Sequence, residues 1–157
     1  MKLYLCSLNI LNILIISDMT QEQKDLLLKD LCARLPYRVK IVIQDTFKYS
    51  IVPCEYHVLD VSNFSDIFCF NYKKFDKRMK KAMRERPNDI VIKPYLFPLS
   101  SMTEEQKKEY QYITERWMYD SSYSISDSID WLNKNHFDYK GLIEKGLAID
   151  CTNLNIY

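Results

Sequence analysis

Apolar positions recur at helical spacing early in the chain. Leu27, Leu28, Leu31 and Leu35 make a stripe that Leu26 and Cys32 widen, and Lys24, Asp25, Lys29 and Asp30 fall on the wet side. Thr20 stands before this run with Gln23 three residues on, the pairing of a capping box, and Pro36 ends it. A helix is predicted over 19–34. The pattern then changes to short strand-like runs at 39–43, where four of five residues are β-branched, and at 47–52, 56–61, 67–72 and 90–93. Strands so short and closely spaced predict a small, strongly bent antiparallel sheet. An SH3-like barrel is one way to close it, because closure removes exposed edges.

Helical periodicity returns after 94–102, a linker that Pro94 and Pro98 hold extended. Thr103 and Gln106 repeat the capping box, and Tyr110, Ile113, Trp117 and Met118 form the apolar face of a second helix. A serine-rich loop follows. Ser124 or Ser126 then opens a third helix carrying Ile129, Trp131 and Leu132, whose first turn suits Asp127 and Asp130. The tail from His136 to Tyr157 alternates turns with apolar pairs and is expected to wrap the other elements. The fold class is α+β in one domain over 19–157. It comprises helix plus sheet at 19–93, the linker at 94–102 and a helical part at 103–157.

The first eighteen residues fit this scheme poorly. They are apolar but interrupted by Ser7, Asn9 and Asn12, too short for a membrane span, and they lack a small-residue cleavage site. A core strand or helix, a weak export or anchor signal, and translated sequence upstream of a start at Met19 are the alternatives. The last is favoured, and a membrane role follows only if the segment is native and acts as an anchor.

Composition narrows the chemistry. The 157 residues suffice for one core, and 47% apolar with 27% charged residues is a globular balance. The chain has only two glycines, Gly141 and Gly146, which excludes a glycine-rich phosphate cradle. Five cysteines, Cys6, Cys32, Cys54, Cys69 and Cys151, are odd in number and form no CxxC pair. They read as reduced thiols of a cytoplasmic protein, with no zinc site and no cofactor implied.

Charge is segregated despite a net of +1. Segment 73–86 holds Lys73, Lys74, Lys77, Arg78, Lys80, Lys81, Arg84 and Arg86 against Asp76 and Glu85, a net of +6 that leaves the rest at −5. Phe75, Met79, Ala82 and Met83 give it a narrow apolar stripe, so it reads as a helical insertion. Its bland reading is a solvated helix face. Its functional reading is a nucleic-acid contact, with Tyr72 and Phe75 beside it to stack on bases.

Other candidates weaken on spacing. His136 with Asp130 and Asp138 shares no helical face with either, so a structural or surface histidine is expected. Cys54 and His57 would point to opposite faces of a strand. No catalytic residue and no metal ligand is assigned. Tyr95, Trp131, Phe137 and Tyr139, with Trp117, form an aromatic set that reads either as core packing or as anchors of a protein-binding groove.

Three strings carry a resemblance: LLLKDLCARLPYRVKI at 26–41, KPYLFPLSSMTEE at 93–105, and DWLNKNHFDYKGLI with KGLAI within 130–149. They resemble a family of small uncharacterised proteins encoded by gut Bacteroides-type bacteria, their phages and mobile elements. The departures are Phe97 where arginine is usual, Arg38 where glycine is frequent, Asn135 in place of a histidine, and a different ending after 149. The resemblance implies an origin and no activity. Together these readings lead to a non-catalytic accessory module that binds a protein partner, with nucleic acid as the alternative and an enzyme as the third possibility.

Overall fold

The computed structural model describes residues 19–45, 50–54, 58–61, 67–69, 85, 90–116, 119–120 and 124–157. The fold class is α+β, as the alternation of patterns predicts. Helix α1 is Gln21–Arg34. Its capping box is formed: Gln23 N–H donates to Thr20 Oγ1 at 3.2 Å and Thr20 N–H donates to Gln23 Oε1 at 2.9 Å. A 3₁₀ turn, Leu35–Tyr37, carries Pro36 and ends at Arg38 with φ 56°. That left-handed conformation is one glycine adopts freely and arginine does not.

Strands β1 (Ile41–Asp45), β2 (Ser50–Cys54) and β5 (Ile90–Pro98) form an antiparallel sheet with β1 in the middle. β3 (Val58–Val61) and β4 (Ile67–Cys69) make a separate antiparallel pair. Helices α2 (Glu104–Arg116) and α3 (Ile125–Lys134) follow. Two-residue strands β6 (Phe137–Asp138) and β7 (Ile149–Asp150) both add to β5 in parallel. The sheet is therefore mixed, not purely antiparallel, and the described strands do not close into a barrel.

Of the segment read as a linker, Leu99–Ser101 form a 3₁₀ turn and residues 94–98 the second half of β5. Prolines are tolerated there because of strand alternation. The amides of Tyr95 and Phe97 leave β5 by one edge, to the carbonyls of Lys40 and His136, both at 2.9 Å. Pro94 and Pro98 occupy the alternate positions, so their missing N–H groups fall on the other edge. That edge is where Cys151 N–H donates to the Leu96 carbonyl at 3.0 Å.

One face of the sheet packs on α1. Leu27, Leu31, Val39, Ile41, Ile43, Ile92, Leu96, Leu142, Leu147 and Ala148 form this core. A second cluster joins α3 to α2 and β6. There Trp131 stacks on Phe137 at 5.7 Å and meets Tyr110 of α2 at 5.4 Å. Ile129, expected in the apolar face of α3, is 39% exposed; Ser128 and Asn133 are buried in its stead. Trp117 and Met118 of the expected α2 face lie outside the described residues, as do residues 1–18. No described helix is long and apolar enough to cross a membrane.

Asp30 corrects the sequence reading most sharply. Assigned to the wet side, it is fully buried, and so is Arg34 four residues later. Arg34 Nε donates to Asp30 Oδ2 at 2.7 Å and Arg34 Nη2 donates to the Phe137 carbonyl at 2.8 Å. Burial of both is possible because each neutralises the other at i,i+4 spacing. Removing one partner strands a buried charge, so Arg34→Ala is expected to cost about 3–5 kcal/mol in urea denaturation. Replacing both by apolar residues, Asp30→Leu with Arg34→Met, is expected to cost less than that single change.

Candidate functional site

The polar side chains converge where α1, the α3–β6 corner and segment 151–157 meet. Asp30 receives Arg34 and also Lys140, whose Nζ is 3.4 Å from Asp30 Oδ1. The Tyr139 ring lies beside both cations, 5.6 Å from the Arg34 guanidinium carbon and 5.2 Å from Lys140 Nζ. Asp138 accepts from the amides of Leu142 at 2.9 Å and Ile143 at 2.7 Å, closing the turn that follows β6. Two acids in this region thus have structural work.

His136 sits at the exit of α3 with φ 59°. Asn135 ends the helix, its Nδ2 donating to the Trp131 carbonyl at 2.9 Å. The left-handed turn buries the imidazole, which stacks on Tyr157 with centroids 4.1 Å apart and planes 16° from parallel. Burial, with Arg34 and then Lys40 as nearby positive charges, pushes its pKa down to about 4. His136 Nδ1, Arg34 Nη1 and Asn133 Oδ1 are buried with no hydrogen-bond partner among the described residues.

Tyr157 has a more elaborate setting. Its hydroxyl accepts from Lys40 N–H at 2.9 Å and donates to the Tyr95 carbonyl at 3.0 Å. The phenol is thereby inserted at the end of the β1–β5 ladder, beside the bond from Tyr95 N–H to the Lys40 carbonyl. Phe97 lies 5.8 Å from its ring and Lys40 Nζ 5.4 Å. Lys40 Nζ also donates to the Ile156 carbonyl. Burial, ahead of its other causes, holds the Tyr157 hydroxyl well above the usual phenol range. Three side chains and two main-chain groups, drawn from positions 40 to 136, contact one tyrosine, whose remaining surface leaves the residue 42% exposed.

The sequence candidates divide accordingly. Trp131 and Phe137 are 7% and 2% exposed, so their rings are packing residues. Tyr95 and Tyr139 are half-buried; the Tyr139 ring lies beside Arg34 and Lys140, whereas Tyr95 contributes its main-chain carbonyl to Tyr157. His136, Asp130 and Asp138 do not act as a unit: Asp130 accepts from the Tyr37 hydroxyl, and that bond raises the Tyr37 pKa. Among the described residues no three potential ligands converge on a metal. Cys151 is a buried thiol pushed up to about 11, by burial and then by Asp150. Lys93 is buried on the sheet face away from α1, and burial lowers its pKa. His57 lies outside the described residues, and so do Lys73, Lys74, Lys77, Arg78, Lys80, Lys81, Arg84 and Arg86.

Lys40 and Tyr157 were missed by sequence reasoning. Their only signal is aromatic richness near the end of the chain, which does not reveal a partner 117 residues away. No protein-family model matches the chain, and no curated protein and no solved structure matches it.

A histidine whose folded pKa lies below its unfolded value of 6.5 stabilises the fold only while neutral. As pH falls, the unfolded chain takes up the proton first. Stability is therefore expected to be full above about pH 6.5, to decline by about 3 kcal/mol by pH 4, and to level below. The same denaturant series on His136→Asn, a residue type that accepts positive φ, is expected to lack this component.

Proposed function

We propose that this protein is a non-catalytic accessory module of phage or mobile-element origin that works in the cytoplasm by binding a protein partner. The observation that carries the reading is the seating of Tyr157. Residues 152–157 lie outside helix and strand, yet Lys40, Tyr95, Phe97 and His136 hold the ring, the hydroxyl and the Ile156 carbonyl. A surface that grips an irregular peptide segment in this way has the parts of a peptide-recognition site: stacking platforms, a paired donor and acceptor, and a cation. Asp30 and Arg34 are occupied in joining elements and Asp138 in closing a turn, which supports binding over catalysis.

The basic segment 73–86 favours nucleic acid as a second reading. The two separate by affinity capture with the full chain, with and without nuclease, next to a gel-shift titration at low and high salt. A protein partner retained after nuclease treatment and after Lys77→Glu, Lys80→Glu and Lys81→Glu is the expected result. Capture lost to nuclease, with a salt-sensitive gel shift, would replace it by the nucleic-acid reading.

A further inference from the structure

We propose that the Tyr157 socket is a recognition site for an unmodified tyrosine of a partner peptide, and that the chain's own segment 152–157 occupies it as a competing internal ligand. The inference rests on the protein-binding reading above and names the partner's chemistry and its regulation.

The socket meets both the ring and the hydroxyl of a tyrosine while leaving part of the residue open to solvent. The ring has the His136 imidazole against its face at 4.1 Å, Phe97 at 5.8 Å and the Lys40 ammonium at 5.4 Å. The hydroxyl meets one donor, Lys40 N–H, and one acceptor, the Tyr95 carbonyl. Such a pair recognises a group that accepts and donates at the same oxygen. Phenylalanine fills the volume but leaves both groups unmatched. A phosphotyrosine has no hydroxyl hydrogen for the Tyr95 carbonyl and would bring anionic oxygens against it. The Lys40 ammonium bonded to the Ile156 carbonyl adds a contact to the main chain before the tyrosine, so a peptide is preferred to free tyrosine.

Occupation by the protein's own segment sets a threshold. Cys151 is anchored to Leu96, and only Thr152 to Tyr157 need move to clear the site. The tether presents Tyr157 at an effective concentration on the order of millimolar. A partner peptide therefore competes against a captive ligand, and weakening that ligand opens the site.

The test uses the full chain and a blocked synthetic peptide of sequence LNIY, titrated by isothermal calorimetry. Tyr157→Ala is expected to bind it at least about tenfold more tightly than wild type. The LNIF peptide is expected to bind Tyr157→Ala at least about tenfold more weakly than LNIY, because two hydrogen bonds are missing. The LNIY peptide phosphorylated on tyrosine is expected not to bind. If Tyr157→Ala fails to fold, Tyr157→Phe keeps the ring and decides the matter, since it should bind LNIY several-fold more tightly than wild type. Equal affinity of LNIY for wild type and variant, or of LNIY and LNIF for Tyr157→Ala, overturns the proposal. A nuclease-resistant partner captured equally by wild type and both variants, with no peptide bound, removes the socket and leaves the binding-module reading standing.

Discussion

Asp30 and Arg34 leave water together, and the arrangement of the remaining elements turns on how that cost is met. Desolvating a carboxylate and a guanidinium costs several kcal/mol per ion, and mutual attraction recovers it only with good geometry and further hydrogen bonds. Here the further bonds come from outside α1. The Phe137 carbonyl takes one guanidinium N–H, Lys140 approaches the carboxylate, and Tyr139 faces both cations. Each of these groups lies more than a hundred residues along the chain. The ion pair thus gains its outside partners only when the α3–β6 corner docks on the first helix, which gives the contact directional specificity that apolar packing lacks.

β5 transmits that docking to the sheet. Its first half pairs with β1, and its second half takes β6 and β7, so elements from both ends of the chain share one strand. The Lys40 carbonyl and the His136 carbonyl accept successive amides from the same edge of β5. Tyr157 completes this seam by joining the Lys40 amide to the Tyr95 carbonyl. The imidazole beneath it stays neutral because it is buried close to Arg34 and Lys40. Packing, ladder and electrostatics therefore meet within a few residues of the α3–β6 corner.

Much of this was legible where the signal was local. Thr20 with Gln23 and Thr103 with Gln106 marked both long helices, because a capping box is written in four consecutive residues. Ile41, Val42 and Ile43 announced β1 through branched side chains. The three strings that carry the resemblance meet in one core: Leu27 and Ile41 from the first, Leu96 from the second, Leu142 and Leu147 from the third. Non-local features were not legible. Asp30 looked solvated because its spacing places it beside the apolar stripe, and only its partner four residues on hinted otherwise. Two-residue strands such as Phe137–Asp138 are too short to show alternation. The socket collects positions 40, 95, 97, 136 and 157, and no periodicity links them.

Pro94 and Pro98 mark a boundary for growth of the sheet. A foreign strand laid along the β7 side of β5 would look for regularly spaced amide donors, and at those two positions nitrogen carries no hydrogen. Residues that first suggest an interruption of structure thus limit how far hydrogen bonding can extend along the β7 side of the molecule's most shared strand.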